Sequence, residues 1–275
     1  MNIVIDIEEK VNSEIHAGHI CRDDIQNIID KFNLSRSDLF KLYVTDDFTN
    51  AHKLLNSGAF VVPVLNDHNS SLDFSEFKYL ITDPQDVDDD FYYKIWQRYV
   101  GLPWHIMETD RCILREMTVL DISELYLLYD SPDITQFTEP LFPDYEDELE
   151  YTNNYIHNVY EYFGFGTWIV QRKSDKKIIG RAGFNYRPGY DYPELGYVFG
   201  TKYQGQGYAT EICKAICNYG FKELEFNFIL AFSSPDNIPS IKLLNKLGFV
   251  HDSNIIEPDD AKVLGFEMKP YVLAK

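Results

Sequence analysis

The stretch Tyr203-Gln204-Gly205-Gln206-Gly207-Tyr208-Ala209-Thr210-Glu211 limits what this chain can become more than any other. An apolar run, Leu195-Gly196-Tyr197-Val198-Phe199, precedes it. An amphipathic run follows, with Ala209, Ile212, Cys213 and Ile216 on one face. The pattern predicts a strand, a tight loop and a helix. The two glycines let the backbone turn sharply and gather several N–H groups at one point. The helix behind them adds unpaired N–H groups and a partial positive charge. Such a site suits a phosphate or pyrophosphate; a strand-to-helix turn without a ligand is the alternative.

Two further motifs stand in order around this loop. Glu194-Leu195-Gly196-Tyr197 precedes it, and Asn237-Ile238-Pro239-Ser240 followed by Lys246-Leu247-Gly248-Phe249 comes after. The spacing of Gln204, Gly207 and Ala209 resembles the acyl-coenzyme-A pyrophosphate loop of the GNAT N-acetyltransferases. The downstream pair resembles that superfamily's second signature, and the Glu-Leu-Gly-Tyr run is similar to its RimJ/RimL branch. The likeness runs from about residue 111 to the C-terminus. It implies an α+β domain with a mixed sheet and acetyl-CoA as cosubstrate. It also implies transfer of the acetyl group to a primary amine, of a protein N-terminus or a small molecule, by direct attack on the thioester.

Roles follow from the resemblance residue by residue. Gln204, Gly205, Gln206, Gly207, Tyr208 and Ala209 would hold the pyrophosphate. The strand edge at Tyr197, Val198 and Phe199 would pair with the pantetheine arm, and the Asn237 amide would bond it. The segment between the first two helices walls the acceptor site in this family, which points to Phe137, Glu139, Phe142 and Tyr145; aromatic packing behind the sheet is the other reading of each. Glu194 is the expected base. An alkylamine has a pKa near 10, so only about one molecule in a thousand is neutral at pH 7. Many members protonate the leaving thiolate with a tyrosine, but that position is Leu244 here, which cannot donate. Ser240 is the expected substitute, with Tyr208 second. A regulatory module that binds coenzyme A without catalysis is the competing reading.

The balance of 25 basic against 44 acidic residues gives a net charge of −19. That argues against a nucleic-acid partner, which needs Lys and Arg stripes. It is compatible with a cationic amine acceptor, and equally with simple solubility. Cys213 and Cys217, one helical turn apart, read as buried thiols, and His16 and His19 as a solvated loop, so no metal site is expected. No stretch approaches the length of a membrane span, and the reading is of a cytoplasmic protein.

Helix and strand patterns alternate through the first hundred residues, predicting a small parallel Rossmann-like α/β domain. Gly101-Leu102-Pro103-Trp104 punctuates the chain, and the domains are expected at 1–108 and 109–275. Leu39 to Leu65 resembles the closing half of a haloacid-dehalogenase-like domain, with Asp46 and Asp47 in place of its magnesium-binding acidic pair. No nucleophilic aspartate stands far enough upstream, so the segment is read as a non-catalytic remnant. In the second domain strands are expected at 112–117, 167–171, 178–184, 194–199, 228–232 and 263–273. Helices are expected from Asp121, over 146–163, after the loop, and over 237–247.

Overall fold

A computed structural model describes residues 1–255 and 268–275, and the chain divides into two units, Met1–Trp104 and His105–Lys275. The first contains, in order, β1 (Asn2–Asp6), α1 (Glu8–Ala17), α2 (Arg22–Phe32), α3 (Arg36–Leu39), β2 (Lys41–Thr45), α4 (Phe48–Asn56), β3 (Phe60–Pro63) and α5 (Asp89–Val100). β2 and β3 are parallel and joined through α4, as the alternating pattern predicts. β1, however, pairs antiparallel with β2, Ile3 against Val44, so the sheet is mixed where a parallel one was expected. Most of β1 is exposed at the sheet edge, although its centre, Ile3-Val4-Ile5, is apolar. After β3 the apolar stretch Phe77–Thr82 adds only one bridge to the sheet, Val64 with Ile81. Pro63 has no N–H with which to continue that ladder.

The acidic residues of this unit have local partners. The Asp46 carboxylate pairs with the chain's amino group, and Asp47 caps α4 by accepting the Asn50 N–H at 3.0 Å. Asp88 caps α5 by accepting the Phe91 N–H at 2.8 Å. His16 lies within α1, which ends at Gly18 with φ 77°, and His19 sits 2.8 Å from a Glu14 carboxylate oxygen. The expected solvated loop is thus a helix end.

The second unit runs β4 (His105–Glu108), β5 (Cys112–Arg115), α6 (Ile122–Tyr129), α7 (Tyr145–Tyr155), α8 (Glu161–Phe163), β6 (Thr167–Arg172), β7 (Ile178–Tyr186), β8 (Pro193–Phe199), α9 (Tyr208–Lys222), β9 (Phe228–Ser233), α10 (Ile238–Leu247), β10 (Val250–His251) and β11 (Lys269–Ala274). Its described strands form one sheet in the order β10-β11-β9-β8-β7-β6-β5-β4, antiparallel except between β8 and β9. Because β4 pairs with β5, residues 105–108 go with this unit rather than the first. Of the closing strand expected over 263–273, residues 263–267 lie outside the described residues.

One face of the sheet packs on α9 through Ile212, Cys213, Ile216 and Cys217, against Trp168, Ala182 and Phe184. Burial pushes the Cys217 thiol up to about 12 and raises Cys213 as well, so both stay protonated, as buried thiols do. The helix expected over 146–163 is interrupted by a π-helical turn at Ile156–Tyr160. The Tyr155 hydroxyl accepts the Thr167 N–H at 2.7 Å, and the Tyr160 hydroxyl donates to the Thr167 carbonyl. Both therefore anchor the start of β6, and such a wider turn often marks a functional region. Among the described residues no helix is long and apolar enough to cross a membrane.

Gly183 shows how tightly β7 meets its neighbour. A Cβ there would lie 2.0 Å from the Gly166 carbonyl oxygen, whereas one at Gly196 would meet only the Asn185 amide nitrogen, at 3.6 Å. Overpacking of this kind costs about 1–3 kcal/mol. Gly183→Ala should therefore lower Tm by several degrees in thermal unfolding, with Gly196→Ala close to wild type. Equal Tm values for the two variants would refute this account of the packing.

Candidate functional site

β7 and β8 are in full register, pairing Arg181 with Val198, Gly183 with Gly196 and Asn185 with Glu194. Directly paired residues share a face, so Arg181, Asn185, Val198 and Glu194 point to one side. On its other edge β8 meets β9 through a single pair, Glu194 with Leu230. From Leu195 to Phe199, β8 carries a ladder on its β7 side alone. The parted edge offers backbone groups to an extended ligand, which could add as a strand would.

The parted strand leads to the glycine loop. After a 3₁₀ turn at Thr201–Tyr203, Gly205 and Gly207 adopt φ values of 72° and 83°. These left-handed conformations favour glycine. Gly207 sits at the N-cap of α9, and no side chain caps the helix. The first N–H groups of α9 are therefore open to an anion. Gln204 ties the loop to the strand, its amide donating to the Phe199 carbonyl at 2.9 Å. Gln206 donates to the Lys202 carbonyl at 2.6 Å. Arg111 holds the loop from β5's side. It donates to the Gln206 carbonyl at 3.0 Å, pairs with Glu211 at 2.6 Å, and lies 4.1 Å from the centre of the Tyr208 ring. Tyr208 is buried, Ala209 is half-buried, and the loop residues before them, from Gln204 to Gly207, are exposed.

A cleft of about 630 Å³ opens along the parted strand. It brings together Glu194, Tyr197, Val198, Asn237 and Ser240 with Phe137, Glu139 and Phe142 of the α6–α7 connection. Tyr145 does not line it: it stands exposed in the first turn of α7, 6.5 Å from the Tyr126 ring. Phe199, expected on the coenzyme edge, does not line the cleft either, its side chain being buried in the core.

The two expected chemical groups have partners. Glu194 receives a bidentate bond from Arg187, Nε to Oε2 at 2.8 Å and Nη2 to Oε1 at 3.1 Å. The Arg187 guanidinium also lies 4.3 Å from the Phe232 ring centre. A carboxylate has about four acceptor positions, so two remain on Glu194 after this pairing. Asn237 caps α10, its carbonyl accepting the Ser240 N–H at 3.2 Å, which leaves its NH₂ for another partner. The Ser240 hydroxyl is 2.8 Å from that of Tyr197. Burial raises the Tyr197 phenol well above its ordinary range, against the opposing bond from Ser240. Tyr197 therefore stays protonated near neutral pH. Leu244, where a tyrosine was sought, is buried in the core.

Sequence reasoning missed four side chains of this region: Arg111, Glu148, Arg181 and Arg187. Arg187 carried a usable signal, since the turn at Pro188-Gly189 sets a hairpin that returns it toward Glu194. The others are brought in by tertiary pairing.

Residues 111–250 match the acetyltransferase (GNAT) domain family. YkkB, an uncharacterized protein of Bacillus subtilis, is 31% identical over 166 residues, spanning 59% of this chain and 95% of that protein. YnaD of the same organism, described as an uncharacterized N-acetyltransferase, is 32% identical over 141 residues, covering 51% of this chain and 79% of its own. An acetyltransferase from Agrobacterium tumefaciens shares the fold at 22% identity and a TM-score of 0.51, over 62% of this chain and 94% of that one.

Proposed function

We propose that this chain, which belongs to the GNAT acetyltransferase family and is an acetyltransferase, takes its acetyl group from acetyl-CoA and delivers it to a primary amine. The observation that carries this reading is the parting of β8 from β9 after one pair, next to the uncapped start of α9. The open edge suits an extended amide-bearing arm, and the open helix start suits its phosphates. The residues present thus fit the cosubstrate, which would supply an acyl group activated as a thioester.

In this reading the Gln204–Ala209 loop holds the pyrophosphate. The Tyr197–Phe199 edge would align the arm through the backbone groups of Tyr197 and Phe199, which turn to the open side; the Val198 N–H expected there is instead taken up by the ladder to β7, where Val198 pairs with Arg181. The Asn237 NH₂ supplies a further bond to the arm. The amine nitrogen bonds the acyl carbon as the carbon–sulfur bond breaks. Glu194, directly or through a water, takes the proton that the amine loses. Ser240, backed by Tyr197, supplies the one that the thiolate gains. Phe137, Glu139 and Phe142 wall the acceptor. The Glu194-to-Tyr197 run favours the RimJ/RimL branch and an amine at a chain end or on a small molecule. We place the protein in the cytoplasm, and we read the first unit as haloacid-dehalogenase-like and non-catalytic. Its acidic pair, Asp46 and Asp47, is engaged in local bonds, and no magnesium-dependent phosphate release is expected.

The test is thiol release from acetyl-CoA with a panel of amines. Release that depends on the amine, with a matching acetylated product, is expected. Tight coenzyme binding without release for any amine would overturn the proposed reaction.

A further inference from the structure

Every other arginine of the second unit holds a carboxylate. Arg111 pairs with Glu211, Arg115 with Asp121, Arg172 with Asp175 and Arg187 with Glu194. Arg181 does not. It lines the cleft, its Nε is buried with no hydrogen-bond partner, and among the described residues no carboxylate pairs with it. Glu148, which lines the same cleft, spends one oxygen on the Phe142 N–H at 2.9 Å instead.

The groups that act most strongly on Arg181 are phenols; the Glu148 carboxylate lies near two of them but forms no ion pair with the guanidinium. The phenols are those of Tyr129, Tyr160, Tyr155 and Tyr151, and Tyr129 bonds Arg181 through the hydroxyl. Burial raises all four phenols, so none supplies a compensating charge near neutral pH. A guanidinium cannot shed its proton, and a buried charge without a counter-charge is costly. The arrangement makes sense when a bound molecule brings the missing anion.

The position of Arg181 says which molecule. It projects from β7, in register with Val198. The open edge that suits the coenzyme lies on the far side of β8, facing β9. Arg181 therefore stands on the wall left to the acceptor, with Tyr151 and Phe142 of the same cleft. The whole protein carries a net charge of −19, which repels an anionic acceptor unless a local cation receives it. Planar guanidinium matches a carboxylate in two-point geometry.

We propose that Arg181 is the specificity residue for an acceptor that carries a carboxylate beside its amine, a molecule of the amino-acid class. This rests on the acetyl-transfer reading above and names its substrate class. The carboxylate docks on Arg181 while the amine reaches toward Glu194.

The experiment compares free L-amino acids with their matched amides and with the decarboxylated amines. It uses the full chain, wild type and with Arg181→Gln or Arg181→Lys. In wild type, the preferred amino acid should exceed its amide in kcat/KM by tenfold or more. Arg181→Gln should erase that advantage through KM, leaving the amide and coenzyme binding within about twofold. Arg181→Lys should restore part of it. Amides or simple amines preferred by wild type would overturn the proposal. So would an equal fall in kcat for acid and amide in Arg181→Gln, which would put the guanidinium at the reacting carbonyl. If no amine turns over, calorimetry of the same amino acids with wild-type protein decides. Binding of an amino acid but not its amide sustains the carboxylate site while the transfer reading fails, and no preference for the acid sinks the site itself.

Discussion

Gly207→Asp should abolish coenzyme binding while leaving the protein folded. Gly207 occupies the N-cap of α9 with φ 83°, and a Cβ there would find only the Arg111 Nη2, at 3.6 Å. Space is therefore not the obstacle. The left-handed backbone costs a non-glycine residue roughly 1–2 kcal/mol, but aspartate is among the residues that tolerate it best and is a preferred N-cap. Its carboxylate would accept the free N–H groups of the first helical turn. It would also draw in the Arg111 guanidinium and place a negative charge where phosphates should sit. The features that keep the variant folded are the ones that close the anion site. Calorimetry with coenzyme A should show at least about a hundredfold loss of affinity, with Tm changed by a few degrees at most. Gln204→Ala, which loses only the tie to the Phe199 carbonyl, should weaken binding much less. Equal affinity in wild type and Gly207→Asp would take the loop out of the site.

The contrast between that loop and the rest of the site explains what the sequence made legible. Gly205 and Gly207 act through the backbone, and their conformations follow from residue type and local order. Asn237 likewise caps the helix it precedes. The strands from β6 to β9 were legible because each carries an apolar run bounded by turn residues. β1 was not, because its apolar run is only three residues long, Ile3 to Ile5, and its antiparallel pairing with β2 is long-range. The π-helical turn at Ile156–Tyr160 was also invisible, since both tyrosine hydroxyls find their partners on β6, across the loop that follows. Arg111, in the turn before β5, escaped because its partner Glu211 lies far along the chain, and Arg181 escaped because its setting comes from the sheet. An arginine on a strand looks like an edge charge until the register of the sheet shows what it faces. Arg181 reads as a solvated face in the sequence, and only its pairing with Val198 turns it into the cleft. Tyr145 shows the reverse error: its neighbours Phe137 and Phe142 line the cleft, but α7 begins at Tyr145 and its ring turns to Tyr126.

Glu194→Gln should lower kcat/KM at neutral pH by about two orders of magnitude, the lower end of what a positioned base contributes. The lower end applies because Arg187 already occupies one position on each carboxylate oxygen. A proton arriving on Glu194 must use a remaining lone pair and weakens a charge-assisted bond. The deficit should shrink as pH rises, since a growing share of the acceptor is already neutral and needs no base. Coenzyme affinity should hold, because the glutamate lies at the β9-paired end of β8, away from the glycine loop. A merely structural glutamate would behave otherwise, losing rate by the same factor at every pH. Arg187→Gln separates the two further: it keeps the carboxylate and removes its orientation, so its loss should be smaller, about tenfold, and should not vanish at high pH. Ser240→Ala and Tyr197→Phe each interrupt the hydroxyl pair at 2.8 Å. They should cost less than tenfold, because a thiolate is a tolerable leaving group, its conjugate thiol having a pKa near 8.5. Pre-steady-state thiol release across pH for the four variants reads all of this at once. A Glu194→Gln enzyme whose profile superimposes on wild type would remove Glu194 from proton transfer. The alignment of amine and thioester along β8 would then be the main source of rate, as proximity alone can supply several orders of magnitude.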